Sequence, residues 1–199
     1  MSLQRRWTIP RSALEKSYVE MARDGSVDRE GIALWAGHDI DAEGLNVIIT
    51  HVVLLRGPGI QRARGYIAIT PELLNEITDT LAEVGNDTYL IGQIHGHPPF
   101  SSTRLSPTDI EGGIRTPEYL SVVAPNYGMN AQPDLHECGV HYFDPDLGWT
   151  TLSASEIDRH IVITHDVSLP VLVVGEEQGS KRIDSSSDSF KGGLNNDRA

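Results

Sequence analysis

Residues 88–112 read TYLIGQIHGHPPFSSTRLSPTDIEG and join an apolar segment, a proline-containing loop and a helix start. The segment from Thr88 to His95 is rich in β-branched and aromatic residues, which predicts a strand that ends at two histidines. His95 and His97 lie two positions apart, so they share one face of an extended chain. The sequence SPTD, from Ser106 to Asp109, has the form of a capping box with proline at the first helical position, and a short helix is predicted to begin there.

This stretch has a structural and a functional interpretation. In the structural one, Ser106 and Asp109 only cap a helix, and the two histidines are paired surface imidazoles. In the functional one, two imidazoles at a strand end and a carboxylate at the mouth of the next helix supply three zinc ligands. The fourth position then stays open, as catalytic zinc requires. Pro98 and Pro99 stiffen the turn that brings the strand end and the helix together.

The remainder of the chain alternates helix and strand signals. Apolar periodicity predicts helices over residues 10–24 and 71–84, and a Ser153–Glu156 capping box favours a third over 153–160. The apolar runs 161–163 and 171–174 leave that last region open. Further strands are predicted at Gly31–Ala36, Leu45–Leu55, Gly65–Thr70, Tyr119–Ala124, Gly139–Asp144 and Trp149–Leu152. This order of elements indicates an α+β domain with a mixed, strongly curved sheet.

Length and composition indicate one domain, predicted at residues 1–175, followed by a disordered polar tail at 176–199. Sixteen Lys and Arg against 28 Asp and Glu give a net charge of -12, which argues against nucleic acid and membrane surfaces as partners. Cys138 is the single cysteine, so no intrachain disulfide forms. Since neither a secretory signal nor a membrane-spanning run is visible, the expected location is the cytoplasm.

Four motifs in order carry a family resemblance. Glu30 opens the segment EGIALWAG, THV stands at Thr50–Val52, GQIHGHP at Gly92–Pro98 and SPTD at Ser106–Asp109. Together they resemble the JAMM (MPN+) zinc metallopeptidases, whose pattern is a glutamate that opens a small-residue strand, then HxHP and SxxD. The likeness runs from the first helix to about residues 144–152. It implies the MPN/JAMM-type, cytidine-deaminase-like fold, a curved mixed β-sheet flanked by helices.

The resemblance also implies a role for each polar position of the motifs. His95, His97 and Asp109 are expected to bind Zn²⁺ as the cofactor. Glu30 is expected to activate a water molecule, and Ser106 to stabilise the oxyanion. Because all five positions are present, the resemblance favours an active enzyme over the catalytically inactive scaffold members of the fold.

The sequence departs from the family pattern at two places. Gly96 stands where the family usually has Ser or Thr, and eight residues separate His97 from Ser106 where seven are expected. The extra residue lies in a loop, so the ligands still converge while the lip of the cleft is remodelled. Four residues are candidates either for a substrate groove or for loop packing: Phe100, Leu105, Tyr127 and Met129.

Family members cleave peptide or isopeptide bonds after the Gly-Gly tail of ubiquitin or a ubiquitin-like modifier. The resemblance therefore implies a zinc isopeptidase that acts on a ubiquitin-like protein or its conjugates, and it places the chain nearest to stand-alone bacterial members. Some of these belong to conjugation operons, including antiviral ones, so conjugation-pathway enzymes are possible partners. Two alternatives stay open: trimming of a sulfur-carrier protein, and a non-catalytic MPN adaptor.

A second metal site is a separate hypothesis. His136, Cys138 and His141 are spaced so that they can contribute to a structural zinc site, as in some relatives. Against this, Cys138, Val140 and Tyr142 alternate along one strand face, which buries the cysteine as a hydrophobic residue. Because only three ligands are visible, the buried interpretation is favoured.

Overall fold

The computed structural model describes residues 3–129, 134–165 and 168–175. The helices are α1 (Arg11–Gly25), α2 (Pro71–Val84), α3 (Pro107–Gly112) and α4 (Ala154–His160). The strands are β1 (Arg6–Pro10), β2 (Ile32–Asp39), β3 (Asn46–Leu55), β4 (Ile60–Ala63), β5 (Tyr66–Ile69), β6 (Tyr89–Gly96), β7 (Leu120–Ala124), β8 (Gly139–Asp144), β9 (Gly148–Thr151), β10 (Ile161–Thr164) and β11 (Val171–Val174). Two short 3-10 turns lie at Asn126–Gly128 and Leu135–Glu137.

The main sheet is mixed and has the order β10-β1-β3-β2-β6-β7-β8-β9. At its centre β2 runs antiparallel to both β3 and β6, while β6 and β7 are parallel. One edge of β3 is shared by two parallel strands: β1 pairs with residues 46–48, and β11 pairs with residues 52–55. Strands β4 and β5 form a separate antiparallel hairpin.

The sheet is covered on both faces, so its central strand reads as a continuous apolar run. Ala33 and Trp35 of β2 belong to a core cluster that also contains the apolar stripe of α1. Ile32 and Leu34 point to the opposite face and join a second cluster with the apolar stripe of α2. The stripes are Leu14, Tyr18 and Met21 in α1, and Leu73, Ile77 and Leu81 in α2. The fold therefore has a helix on each side of a mixed sheet.

The structure confirms the predicted α+β organisation and adds elements that the pattern did not reveal. The predicted helices at 10–24, 71–84 and 153–160 occur within one residue of these bounds, and the Ser153–Glu156 capping box forms. The runs left open at 161–163 and 171–174 are strands β10 and β11. Strands β1 and β4 were not predicted. The predicted disordered tail, 176–199, lies outside the described residues.

No helix in the described part of the chain combines the length and apolar composition needed to cross a bilayer.

Gly96, the last residue of β6, is packed against a strained turn. Asn126 and Tyr127 both adopt left-handed backbone angles, with φ of 51° and 55°. This turn folds over the strand end, where the Tyr127 amide donates to the His97 carbonyl at 2.7 Å. A Cβ atom at Gly96 would lie 2.8 Å from Cα and from the carbonyl carbon of Tyr127. The serine or threonine of the family pattern has no room here because backbone atoms fill the space.

Gly96→Ala is therefore expected to destabilise the fold. The added methyl group must displace backbone, and overpacking of this kind costs about 1–3 kcal/mol in free energy of unfolding. Gly112→Ala is the matched control, since a Cβ atom there meets nothing within 4 Å. Urea unfolding of both variants measures the difference. Equal stability of the two variants would contradict the packing described for Tyr127.

Candidate metal centre

The pairing of β2 with β6 brings together two regions that are far apart in sequence. In this antiparallel pair Ile32 lies opposite His95, and the amide of Gly96 donates to the carbonyl of Gly31 at 3.1 Å. Continuing the same register two residues past the Ile32–His95 pair places Glu30 beside His97. The start of one central strand therefore meets the histidine-bearing end of its neighbour.

His95, His97 and Asp109 converge on one point. Nε2 of His95 lies 3.3 Å from Nε2 of His97 and 3.4 Å from Oδ1 of Asp109. Nε2 of His97 lies 3.2 Å from Oδ2 of the same carboxylate. Within residues 3–129, 134–165 and 168–175, this is the one group of three or more His, Cys, Asp or Glu side chains whose ligand atoms all fall within 4.8 Å of one another. The three side chains are suited to hold a metal ion.

The predicted capping box at the start of α3 is present and serves the same cluster. Oγ of Ser106 accepts from the Asp109 amide at 3.1 Å, and Oδ2 of Asp109 accepts from the Ser106 amide at 2.7 Å. Burial acts to raise the pKa of Asp109, but hydrogen bonds from His95, His97 and Ser106 outweigh burial and hold that pKa well below its usual range. Asp109 is thus an ionised carboxylate, the form a metal ligand requires.

The orientation of His97 is fixed from behind the cluster. Its Nδ1 donates to the carbonyl of Ser102 at 2.7 Å, so Nε2 is the ring nitrogen that faces His95 and Asp109. Burial lowers the pKa of His97, but the hydrogen bonds to Asp109 and to Ser102 outweigh burial, so the net direction is upward. Nδ1 of His95 is buried and has no hydrogen-bond partner among the residues that the structure describes.

Glu30 lies at the same cleft and is 2% exposed. Its amide donates to the carbonyl of Ala63 in the β4–β5 hairpin at 3.1 Å, which fixes the backbone from the outer side. Burial raises the pKa of the Glu30 carboxyl from 4.5 to about 7. Proximity to His97 lowers this pKa and proximity to Asp109 raises it. A carboxyl group with a pKa near neutrality is suited to accept and release a proton.

The hairpin that supports Glu30 is anchored to α1 by partly buried ion pairs. Both oxygens of Glu20, which is 4% exposed, accept from the guanidinium of Arg56 at the base of the hairpin. Nε of Arg62 on β4 lies 3.0 Å from Oδ2 of Asp24. Because these charges hold the hairpin against the helix, the Ala63 carbonyl is held in a fixed place beside the cleft.

The cleft has a volume of about 470 Å³, and its lining includes Glu30, His97, Leu105 and Ser106. The four residues considered as candidates for a substrate groove differ in their position and exposure. Leu105 lines the cleft, Phe100 is fully exposed and Met129 is half exposed. Tyr127 is buried at 2% exposure and is a packing residue.

A tyrosine–aspartate contact behind Glu30 was not recognisable in the sequence. The Tyr127 hydroxyl donates to Oδ1 of Asp28 at 2.8 Å, and Oδ2 of Asp28 faces Arg64 at 3.4 Å. Asp28 itself adopts a left-handed φ of 57°. The turn over His97 is thereby tied to the segment that precedes Glu30. No sequence motif marks this contact, because it joins residues 99 positions apart.

The second cluster considered from the sequence does not converge. His136 pairs with Asp158 at 3.1 Å, and Sγ of Cys138 lies 3.3 Å from the Tyr18 hydroxyl. His141 contacts the carbonyl of Thr103 and the hydroxyl of Thr151 instead of these two side chains. The predicted burial of Cys138 is confirmed, although the residue lies at the end of the 3-10 turn just before β8 and not on the strand itself.

Comparisons with known proteins support the fold and do not identify a family. No protein-family model matches the sequence, and no curated protein matches it. The chain is similar in structure to protein DSY2949 from Desulfitobacterium hafniense, which was solved in solution. The TM-score is 0.58 at 14% sequence identity, with 81% of this chain and 94% of that chain covered. At this identity the likeness concerns the fold alone.

The first expected outcome concerns metal content. Wild-type protein that is purified without chelator and loaded with a divalent metal is expected to bind one equivalent of metal. His97→Ala and Asp109→Ala should not retain the metal, because the two remaining ligands hold such an ion weakly. His165→Ala, at an exposed histidine, is the control and should bind like the wild type. Elemental analysis after gel filtration measures the stoichiometry. Full metal content in His97→Ala would rule out this centre.

The second expected outcome concerns Glu30 in metal-free protein. Its folded-state pKa, about 7, lies above the unfolded value near 4.5, so the folded state binds more protons between these values. Stability therefore falls as pH rises through this window. Glu30→Gln cannot ionise, so its advantage in stability over the wild type should be near zero at pH 4.5 and should grow as the pH rises through 7. Urea unfolding in excess chelator tests this, and a pH-independent difference would contradict it.

Proposed function

We propose that this protein is a zinc-dependent isopeptidase or peptidase of the JAMM type, which cleaves after the C-terminal tail of a ubiquitin-like modifier. The observation that carries the proposal is the convergence of His95, His97 and Asp109 on one point, with Glu30 on the same cleft. The order of the motifs along the chain supports the family assignment. The mixed sheet with a helix on each face is compatible with the MPN/JAMM-type fold.

The imidazole separation and the ligand types of the cluster favour zinc over larger ions. A tetrahedral ion with ligand bonds of about 2.0–2.1 Å places its ligand atoms about 3.3–3.4 Å from one another. The Nε2 atoms of His95 and His97 are 3.3 Å apart, and each of them has one oxygen of the Asp109 carboxylate within 3.4 Å. A set of two imidazoles and one carboxylate also suits zinc better than calcium or magnesium, which prefer oxygen ligands. With three protein ligands, one position is left for water or substrate.

Zinc, when bound, supplies Lewis acidity: it polarises a carbonyl group and lowers the pKa of a coordinated water to about 7. The protein supplies the proton transfer. Glu30 accepts the proton from the attacking water and delivers it to the departing amine, and its raised pKa matches both steps. The Ser106 oxygen accepts a hydrogen bond from the Asp109 amide, which leaves its O–H group to donate to the oxyanion.

The substrate and partners follow from the proposed family and from the charge. The expected substrate is a ubiquitin-like protein or its conjugates, and the enzymes that form those conjugates are the expected partners, encoded in a bacterial conjugation operon of the kind that includes antiviral ones. The net charge of -12 disfavours nucleic acid and anionic membranes as competing partners. A cytoplasmic location is part of the same proposal.

The test is cleavage of a ubiquitin-like protein fused through its C-terminal glycine to a reporter, and of the corresponding lysine conjugate. Wild-type protein should release the reporter, a chelator should abolish release, and added zinc should restore it. Glu30→Gln should lose at least about 100-fold in rate, because it removes the general base. It should keep its zinc, because Glu30 is not a ligand.

Glu83→Gln is the matched control, since Glu83 is exposed on α2. It should cleave at the wild-type rate. Cleavage that survives complete removal of metal would refute the mechanism. Zinc binding without cleavage of any ubiquitin-like fusion or conjugate would refute the substrate class and leave the metal centre intact.

A further inference from the structure

Two imidazoles, one immediately after β6 and one on β8, hold consecutive carbonyl groups of one loop. The loop is residues 98–105, between β6 and α3. His97 at the end of β6 donates through Nδ1 to the carbonyl of Ser102 at 2.7 Å. His141 on β8 lies with Nε2 3.2 Å from the carbonyl of Thr103, the next residue. One imidazole belongs to the metal cluster, and the other has no role in the proposed chemistry.

The environment of His141 determines which ring nitrogen carries the hydrogen. The side chain is 3% exposed, and Nδ1 lies 2.9 Å from the hydroxyl of Thr151 on β9. A carbonyl can only accept, so Nε2 must donate to Thr103 and Nδ1 of the neutral ring accepts from the Thr151 hydroxyl. Burial lowers the pKa of His141, which favours this neutral form. The ring is therefore fixed in orientation and in tautomer.

The loop lies directly on β8 at the position of His141. A Cβ atom at Gly139 would lie 1.8 Å from the Thr103 carbonyl oxygen and 2.8 Å from Nε2 of His141. Only glycine permits this approach. The contact is thus a close packing of loop carbonyl, glycine backbone and imidazole at a single place.

The loop has few other restraints of its own. No helix or strand occurs within it, and Phe100 is fully exposed with a left-handed φ of 66°. Its local hydrogen bonds join Ser101 to Pro98 and Arg104 to Ser102. The Ser102 and Thr103 carbonyls belong to successive peptide units that meet at the Cα atom of Thr103, so a displacement of the Thr103 carbonyl is passed along the backbone to the Ser102 carbonyl. The acceptor that orients His97 then shifts.

We propose that His141 is a positioning residue of the metal centre, which holds the Thr103 carbonyl and thereby keeps the Ser102 carbonyl in place to orient His97. His141 does not ligate the metal and does not contact substrate. This inference rests on the metal site of the proposed function, but it does not depend on which bond that site cleaves. Groups that orient a metal-ligating histidine typically change metal affinity by 10–100-fold when removed.

The experiment is a zinc competition titration against a chromophoric chelator, with circular dichroism to confirm that each variant is folded. His141→Ala should bind zinc 10–100-fold more weakly than the wild type. His141→Gln should recover much of the affinity, because the glutamine amide offers an N–H donor near the position of Nε2. His136→Ala is the matched control from the same segment, and it should bind zinc as the wild type does.

Thr151→Val provides a second route if His141→Ala does not fold, since Thr151 is exposed. It removes the hydroxyl that fixes the tautomer and should weaken zinc binding, but less than His141→Ala does. Folded His141→Ala with the affinity of His136→Ala would overturn the inference, as would a glutamine variant no better than alanine. Wild-type protein that binds zinc but cleaves no conjugate would contradict only the proposed function. Wild-type protein that binds no zinc would overturn both.

Discussion

The antiparallel register between β2 and β6 is the constraint on which the site depends. It places the start of one central strand beside the end of the other, so Glu30 and the two histidines meet although about 65 residues separate them. Both faces of β2 are buried, and a shift by one residue would exchange Trp35 and Leu34 between the two core clusters. Irregular pairing is confined to residues 35–37, away from the cluster. The packing of the core thus sets the relative positions of Glu30 and the two histidines.

The capping box of α3 shows how a structural motif and a candidate metal-ligand set use the same atoms. A side chain that caps a helix contributes about 1 kcal/mol, which alone would explain Ser106 and Asp109. Here the carboxylate that caps the helix also faces both imidazoles, and these hydrogen bonds keep it ionised inside the protein. The structural and functional interpretations of this motif are therefore compatible. A helix of only six residues is held by the polar cluster at its start, since none of its side chains is buried.

Much of this could be predicted from the sequence, because the signals are local. The Thr70-Pro71 start and the apolar stripe predict both ends of α2 correctly. The capping boxes of α3 and α4 can be recognised from the spacing of their serine and acidic residues. Strand β1 was not predicted, since RWTIP is short and gains its stability from parallel neighbours distant in sequence. The roles of Tyr127 and His141 were hidden for the same reason. Each acts through a carbonyl or carboxylate whose position only the tertiary structure defines.

The shared edge of β3 has a consequence for the order in which the chain folds. Its first half is covered by β1, which precedes it in the chain, and its second half by β11, which begins more than 110 residues after β3 ends. Strand β1 is in turn covered on its outer side by β10. During synthesis the central strands can pair early, but their apolar border stays open until residues 161–174 emerge from the ribosome. The domain therefore closes late, through parallel contacts of high sequence separation, and the newly made chain depends on not associating with other chains in the interval.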